Sequence, residues 1–255
     1  EAAHMLKGLG VDVLTFPDSP SGRTRIDSVL MAQKVKNVTG FEVMPHICCR
    51  DKNAIAMRST FLGASINDIN NFLIITGDPI PVMARQVVKS VFNFDSVGLM
   101  RIADEMNSEA LKDSPLTYGG AINQSRRRIE SEIKRVQKKM EAGAEFFLTQ
   151  PVFTAEDAER LRRVKEETGA RILCGIMPLV SRKNALFMKN EISGVNVTDE
   201  VIERYPENAD REDGENVGVE LAKEMIAATR DFADGYYFSF PFNRTYLLKR
   251  IIEEL

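Results

Sequence analysis

Cysteine is scarce in this chain: three thiols in 255 residues, none in a zinc-type spacing. That argues against a disulfide framework and against a metal site. Cys48 and Cys49 are adjacent, so on a strand they face opposite ways, and reduced thiols fit a cytoplasmic compartment. Long apolar runs are lacking too. No segment approaches the roughly 20 residues that a membrane span needs, and no signal peptide is visible. Neither sign of charge dominates, since 34 Lys and Arg stand against 37 Asp and Glu for a net charge of −3. That balance gives no general attraction to nucleic acid or to an anionic membrane. No Gly-x-Gly-x-x-Gly follows any strand-like run, which counts against an open doubly wound dinucleotide fold. Low-complexity linkers and composition shifts are absent, so 1–255 reads as one domain.

What is present is an alternation. The segments 11–16, 41–49, 72–76, 116–122, 145–150, 171–177 and 235–240 read as strands. Amphipathic stretches of helical length lie between them, such as "RIDSVLMAQKVKNV" and "AEDAERLRRVKEETGA". Parallel strands need crossover connections, which helices supply, so the repeat predicts a parallel sheet. At 44% hydrophobic residues the chain can bury one large core. Seven strands are visible, and the chain opens inside a helix, "EAAHMLKGLG", ended by Gly8 and Gly10. A helix before the first visible strand implies a further strand ahead of it. Seven plus one is the number of a (β/α)8 barrel, so the fold class expected is an α/β TIM barrel whose first strand is missing from this chain. The lack of an initiating methionine points to a fragment or a trimmed chain.

In a barrel the chemistry sits at the C-terminal ends of strands. Polar residues there are Thr15 and Asp18, His46 and Arg50, Asp78, Asn123, Gln150, Ser181 and Asn184, and Asn243 with Arg244. Asp78 draws most interest, because "FLIITGDP" runs an unbroken apolar strand into a carboxylate between glycine and proline. It can equally be a turn former, as Asp before Pro often is. A lone His46 is more often a satisfied core histidine. The run Arg126-Arg127-Arg128 at a helix start is a solvated face or a phosphate site, given the unpaired N–H groups there. Cys48 and Cys174 read as core. Gln150 closes a buried strand in "TQPVF", and its amide needs partners.

Five motifs, "PHICCRDKN", "FLIITGDP", "EAGAEFFLTQPVF", "GIMPLVSRKNALF" and "FPFNR", resemble those of the methylenetetrahydrofolate reductase family, in the family's order and over nearly the whole chain. The stretch "VDVLTFPDSPSGRTRID" is similar to the branch found in fused homocysteine methyltransferase/reductase proteins and anaerobe homologues. The resemblance implies a (β/α)8 flavoprotein of one-carbon metabolism and methionine biosynthesis. Reduced FAD would pass hydride to 5,10-methylenetetrahydrofolate, giving 5-methyltetrahydrofolate. Asp78 would sit by flavin and pterin, accept paired hydrogen bonds from the pterin, and favour the cationic 5-iminium form that accepts hydride. Gln150 and Asn184 would bind folate, and Arg244 would pair with its glutamate tail.

For FAD the matching positions are Thr15, His46, Asp78, Ser96, Gly119, Asn123, Glu132 and Lys139. Lys139 would neutralise the pyrophosphate, Glu132 would accept ribose hydroxyls, and the glycines would admit the cofactor closely. Arg126 assisting the phosphates is our own addition to the resemblance. The chain also departs from the family. Asn184, Asn123 and Met188 stand where the enterobacterial form has Gln, His and a ligand-stacking Phe. The family's general-acid glutamate lies on the strand missing here, and Glu1 does not replace it. The electron donor is then NAD(P)H or a partner protein, and a homo-oligomer is compatible with the sequence. Two other readings are a flavin- or folate-binding subunit without reductase activity, and a pterin-binding barrel methyltransferase that would not need FAD.

Overall fold

The structure, a computed structural model, describes residues 2–192, 194–208 and 210–253. In chain order it runs α1 (Ala2–Met5), β1 (Val13–Phe16), α2 (Ser28–Thr39), β2 (Glu42–Cys48), α3 (Ala54–Ser65), β3 (Asn71–Ile75) and α4 (Ser96–Ser108). There follow β4 (Thr117–Ile122), α5 (Ile129–Glu141), β5 (Phe146–Pro151), α6 (Ala155–Thr168), β6 (Ile172–Ile176) and α7 (Arg182–Glu191). The chain ends with α8 (Asp199–Glu203), α9 (Arg211–Thr229), β7 (Gly235–Phe238) and α10 (Leu247–Ile252). All seven strands expected from the sequence form, each within two residues of its expected bounds. Strand order is sequence order, and every described register is parallel. Seven parallel strands in sequence order, alternating with helices, are the topology of a (β/α)8 TIM-barrel-like fold that lacks one strand among the described residues.

The fold comprises two compact units. One is Gly10–Ala121 with Gln137–Glu145; the other is Glu1–Leu9, Ile122–Val136 and Phe146–Leu255.

In the first unit, β2 and β3 are buried along most of their length, as their lack of alternation requires. Phe72 packs edge-on against Phe61 of α3 with ring centroids 5.2 Å apart, both side chains fully buried. Asp27, Asn53 and Asp95 cap α2, α3 and α4 by accepting backbone N–H bonds at 3.0 Å. Each such cap contributes about 1 kcal/mol and fixes where its helix begins. The strand β1 is a half-exposed edge, with Val13 39% accessible.

In the second unit, β5 carries a register irregularity between Leu148 and Pro151, where Gln150 lies. Gly175 of β6 permits that close approach, since a Cβ there would stand 3.0 Å from the carbonyl oxygens of Thr149 and Gln150. Gly218 does the same for α9, where a Cβ would fall 1.9 Å from the Leu179 carbonyl oxygen. Thr154, Ser181, Thr198 and Asp210 cap α6 to α9 in turn.

Candidate active site

The apolar strand β3 ends on a turn that requires glycine. Gly77 has φ +93°, and a Cβ on it would lie 2.9 Å from Cys48 Cβ. The turn carries Asp78 out of the buried strand to an exposed position. Its carboxylate accepts a 2.7 Å hydrogen bond from the Ser21 N–H, in the loop after β1. A turn-forming Asp would bond its own neighbours, so this carboxylate organises a distant loop instead. That loop is strained, with Ser19 at φ 43° and Ser21 at φ 55°. Asp18 in the same loop accepts from the Cys48 N–H at 3.0 Å.

His46 is 8% exposed and stays neutral, because burial lowers its pKa to about 4. Its Nε2 is buried and makes no hydrogen bond within the protein. A satisfied core histidine would not leave that atom unpaired. Thr15 is half-buried in β1 and registers with Met44. Ser96 is buried in the first turn of α4, its N–H donating to Thr76 Oγ1 at 3.1 Å. Gly119 is buried in β4 beside Leu73. Lys139 is 4% exposed and donates from Nζ to the Ala121 carbonyl near the end of β4. The Cys48 and Cys49 thiols are pushed up to about 12, chiefly by burial, which makes them inert packing groups.

The second unit holds the other expected residues. Asn123 follows β4; its N–H donates to Glu132 Oε1 at 2.9 Å, and its Oδ1 accepts from the Ser125 N–H at 3.0 Å. Glu132 is 2% exposed, with Arg126 Nε 2.9 Å from its other oxygen. The arginine run ends where α5 starts, Arg128 directly preceding Ile129, and Arg126 is engaged by a carboxylate. Gln150 is half-buried, and its carbonyl accepts from Gln124 Nε2 at 3.0 Å. Gln124 is fully buried; lying between Asn123 and a polar run, it offered no apolar pattern by which to find it.

Asn184 and Ser181 form a reciprocal cap at the start of α7. Ser181 Oγ accepts the Asn184 N–H at 3.1 Å, and Asn184 Oδ1 accepts the Val180 N–H at 3.2 Å. Met188 is buried in the same helix. Arg244 follows Phe242 and Asn243, which hold φ values of 56° and 57°. It lies 2.8 Å from Glu215 of α9, a carboxylate 6% exposed. Glu215 accepts from Tyr246 Oη at 2.5 Å and from Arg211 Nε at 2.9 Å, while Arg250 stands 3.7 Å away. Arg211 and Glu215 pair four residues apart on α9, a spacing the sequence shows, whereas Tyr246 and Arg250 reach Glu215 only by tertiary packing.

A family model described as methylenetetrahydrofolate reductase matches residues 2–255. The 5,10-methylenetetrahydrofolate reductase of Salmonella typhimurium is 24% identical over 174 residues, which are 68% of this chain and 55% of that protein. The alignment thus spans about half the length of that curated relative. Among solved structures, oxaloacetate acetylhydrolase, in complex with the inhibitor 3,3-difluorooxalacetate, aligns over 99% of this chain and 75% of its own. Its TM-score of 0.53 at 11% identity is a likeness of fold alone. A 2,3-dimethylmalate lyase of the PEP mutase/isocitrate lyase superfamily covers 69% of this chain and 71% of its own, at 15% identity. Its TM-score of 0.45 carries no argument. The family match runs through every strand end described above, and the chain belongs to the methylenetetrahydrofolate reductase family.

Proposed function

We propose that this chain is a flavin-dependent reductase that converts 5,10-methylenetetrahydrofolate to 5-methyltetrahydrofolate. The observation that carries the reading is the exposed Asp78 carboxylate, projected from a buried strand by Gly77 and bonded to Ser21. A fixed carboxylate can accept paired hydrogen bonds from a pterin's amino group and ring N–H, which orients the ring. Its charge also favours the cationic iminium that accepts hydride.

FAD, when bound, supplies that hydride. The residues fit such a group, for His46 keeps a buried, unpaired Nε2 and Gly119-Gly120 offers backbone without side chains. In the first unit Thr15, His46, Asp78, Ser96, Gly119 and Lys139 would hold it; in the second, Asn123 and Glu132. Glu132 and Lys139 already have protein partners, so in this reading they act from prearranged positions. Gln150, Asn184 and Arg244 would bind folate, with Asn184 limited by its capping role to its remaining amide donors.

Met188 puts a flexible thioether where a stacking ring is expected, which favours an electron-donor protein over NAD(P)H. We also propose that 1–255 works as one domain, since a single family match spans 2–255. No helix among the described residues is long and apolar enough to cross a membrane. A cytoplasmic location and self-association belong to the same proposal.

The test is anaerobic. Protein purified yellow, reduced, and then mixed with methylenetetrahydrofolate should be reoxidised, with 5-methyltetrahydrofolate formed in equal amount. Flavin that stays reduced would make the chain a binding subunit. A colourless protein that transfers a methyl group from a pterin would make it a methyltransferase.

A further inference from the structure

The geometry points to Arg50 as the positioning residue for Asp78, an inference that rests on the reductase reading. Arg50 is 1% exposed, one of the largest fully buried side chains in the protein. An unpaired guanidinium would not tolerate such burial, and this one makes four hydrogen bonds. Nε and Nη2 grip Asp51 at 2.8 and 2.6 Å, a bidentate pair. Nη2 also donates to the Ser19 carbonyl at 3.0 Å, and Nη1 to the Asp78 carbonyl at 3.1 Å. The Arg50 carbonyl accepts the Val91 N–H at 2.7 Å. One side chain thus ties together the loops that follow β1, β2 and β3.

The connections close into a circuit. Arg50 holds the carbonyl of Ser19; two residues on, the N–H of Ser21 holds the carboxylate of Asp78; the carbonyl of Asp78 returns to Arg50. Ser19 and Ser21 both occupy left-handed backbone, which persists when surrounding contacts over-determine it. Without Arg50 the serine loop relaxes, the Ser21 N–H leaves, and the Asp78 carboxylate is no longer aimed. Lysine cannot replace it, since a single ammonium does not span three acceptor groups in fixed directions.

Arg50→Lys is the test, read by amide exchange and by rate. Exchange in segments 17–24 and 76–80 should rise at least about tenfold while the buried amides of β3 and α4 keep their protection. Reoxidation of reduced enzyme by methylenetetrahydrofolate should slow about tenfold. Adding Arg50→Lys to Asp78→Asn should slow it by less than about twofold more, because coupled residues are not additive. Unchanged exchange in those segments, exchange raised evenly through the unit, or rate losses that multiply would each overturn the inference. If Arg50→Lys does not fold, Asp51→Asn removes the ionic anchor and should raise exchange in the same two segments; unchanged exchange there overturns it as well. A wild-type protein never reoxidised by the folate would sink the reductase reading, while the exchange pattern would still judge Arg50.

Discussion

Asp78 Oδ2 lies 2.7 Å from the backbone nitrogen of Ser21, 57 positions earlier in the chain. The bond joins the turn after β3 to the loop after β1, so the carboxylate is held by a strained loop rather than by its own turn.

Asp78→Asn keeps size and an acceptor oxygen for Ser21 but removes the charge. FAD should be retained, while hydride transfer to methylenetetrahydrofolate slows at least about tenfold, the effect of losing ~1.4 kcal/mol of charge stabilisation. Stopped-flow reoxidation of the reduced flavin measures it. A wild-type rate would leave Asp78 with its loop-holding role alone.

Gly77→Ala should be more damaging to the fold. At φ +93° an alanine is strained, and its Cβ would press within 2.9 Å of Cys48 Cβ. A cost of roughly 1–3 kcal/mol follows from the backbone conformation alone. Denaturant melts read it as a lower midpoint with an unchanged slope. A midpoint equal to wild type would show that the turn can take an ordinary conformation.

His46 sets a pH limit. Its folded pKa, about 4, lies below the ordinary 6.5 because burial disfavours the cation. The unfolded chain therefore binds a proton first as pH falls, and stability complete above 6.5 is lost on the way toward 4. The full window is worth roughly 3 kcal/mol for a shift of this size. His46→Gln should flatten the slope of unfolding free energy against pH in that range. An unaltered slope would assign the acid sensitivity to other groups.

Lys139 is buried on the Ala121 carbonyl, at the end of a strand that would face the cofactor. Lys139→Ala removes a charge-assisted contact worth about 1.5–3 kcal/mol, so FAD should bind roughly ten- to a hundredfold more weakly. Equilibrium dialysis measures this. Full flavin retention, with a loss of thermal stability, would confine Lys139 to supporting β4.

The strands were legible because buried parallel strands are short apolar runs between turn residues, as in 72–76 and 171–177. Strand ends were legible for the same reason: a polar group after such a run stands out, as Asp78, His46 and Gln150 do. The partners of those groups were not. Ser21 reaches Asp78 through its backbone N–H, a donor that every residue except proline carries, so the side chain leaves no sign of the bond. Gln124 supports Gln150 by donating to carbonyls, which leaves no mark on the pattern of apolar residues. Arg50 was visible as a strand-end residue, but its hold on three loops depends on their tertiary placement. The cap on α7 was writable as Ser-x-x-Asn, yet the same asparagine also matched a folate position.

Glu215 supports the last prediction. Burial would raise its pKa, but hydrogen bonds from Tyr246 and Arg211 and the charge of Arg244 hold it below the usual range. It gathers three arginines onto one buried carboxylate, and Arg244 owes its place to that ion pair. Glu215→Gln keeps an acceptor but gives up the charge. The expected loss of stability is about 2 kcal/mol, less than for a fully buried pair because the arginines reach solvent. It should be present at neutral pH and shrink in acid, where the wild-type carboxylate also loses its charge. If Arg244 binds the folate's glutamate tail, releasing it should raise KM several-fold with kcat unchanged, the pattern of lost uniform binding. A pterin substrate cut short of the glutamate should then show equal KM for variant and wild type. A rise in KM for both substrates would instead place Glu215 in support of the pterin site, and an unchanged KM for both would remove Arg244 from folate binding.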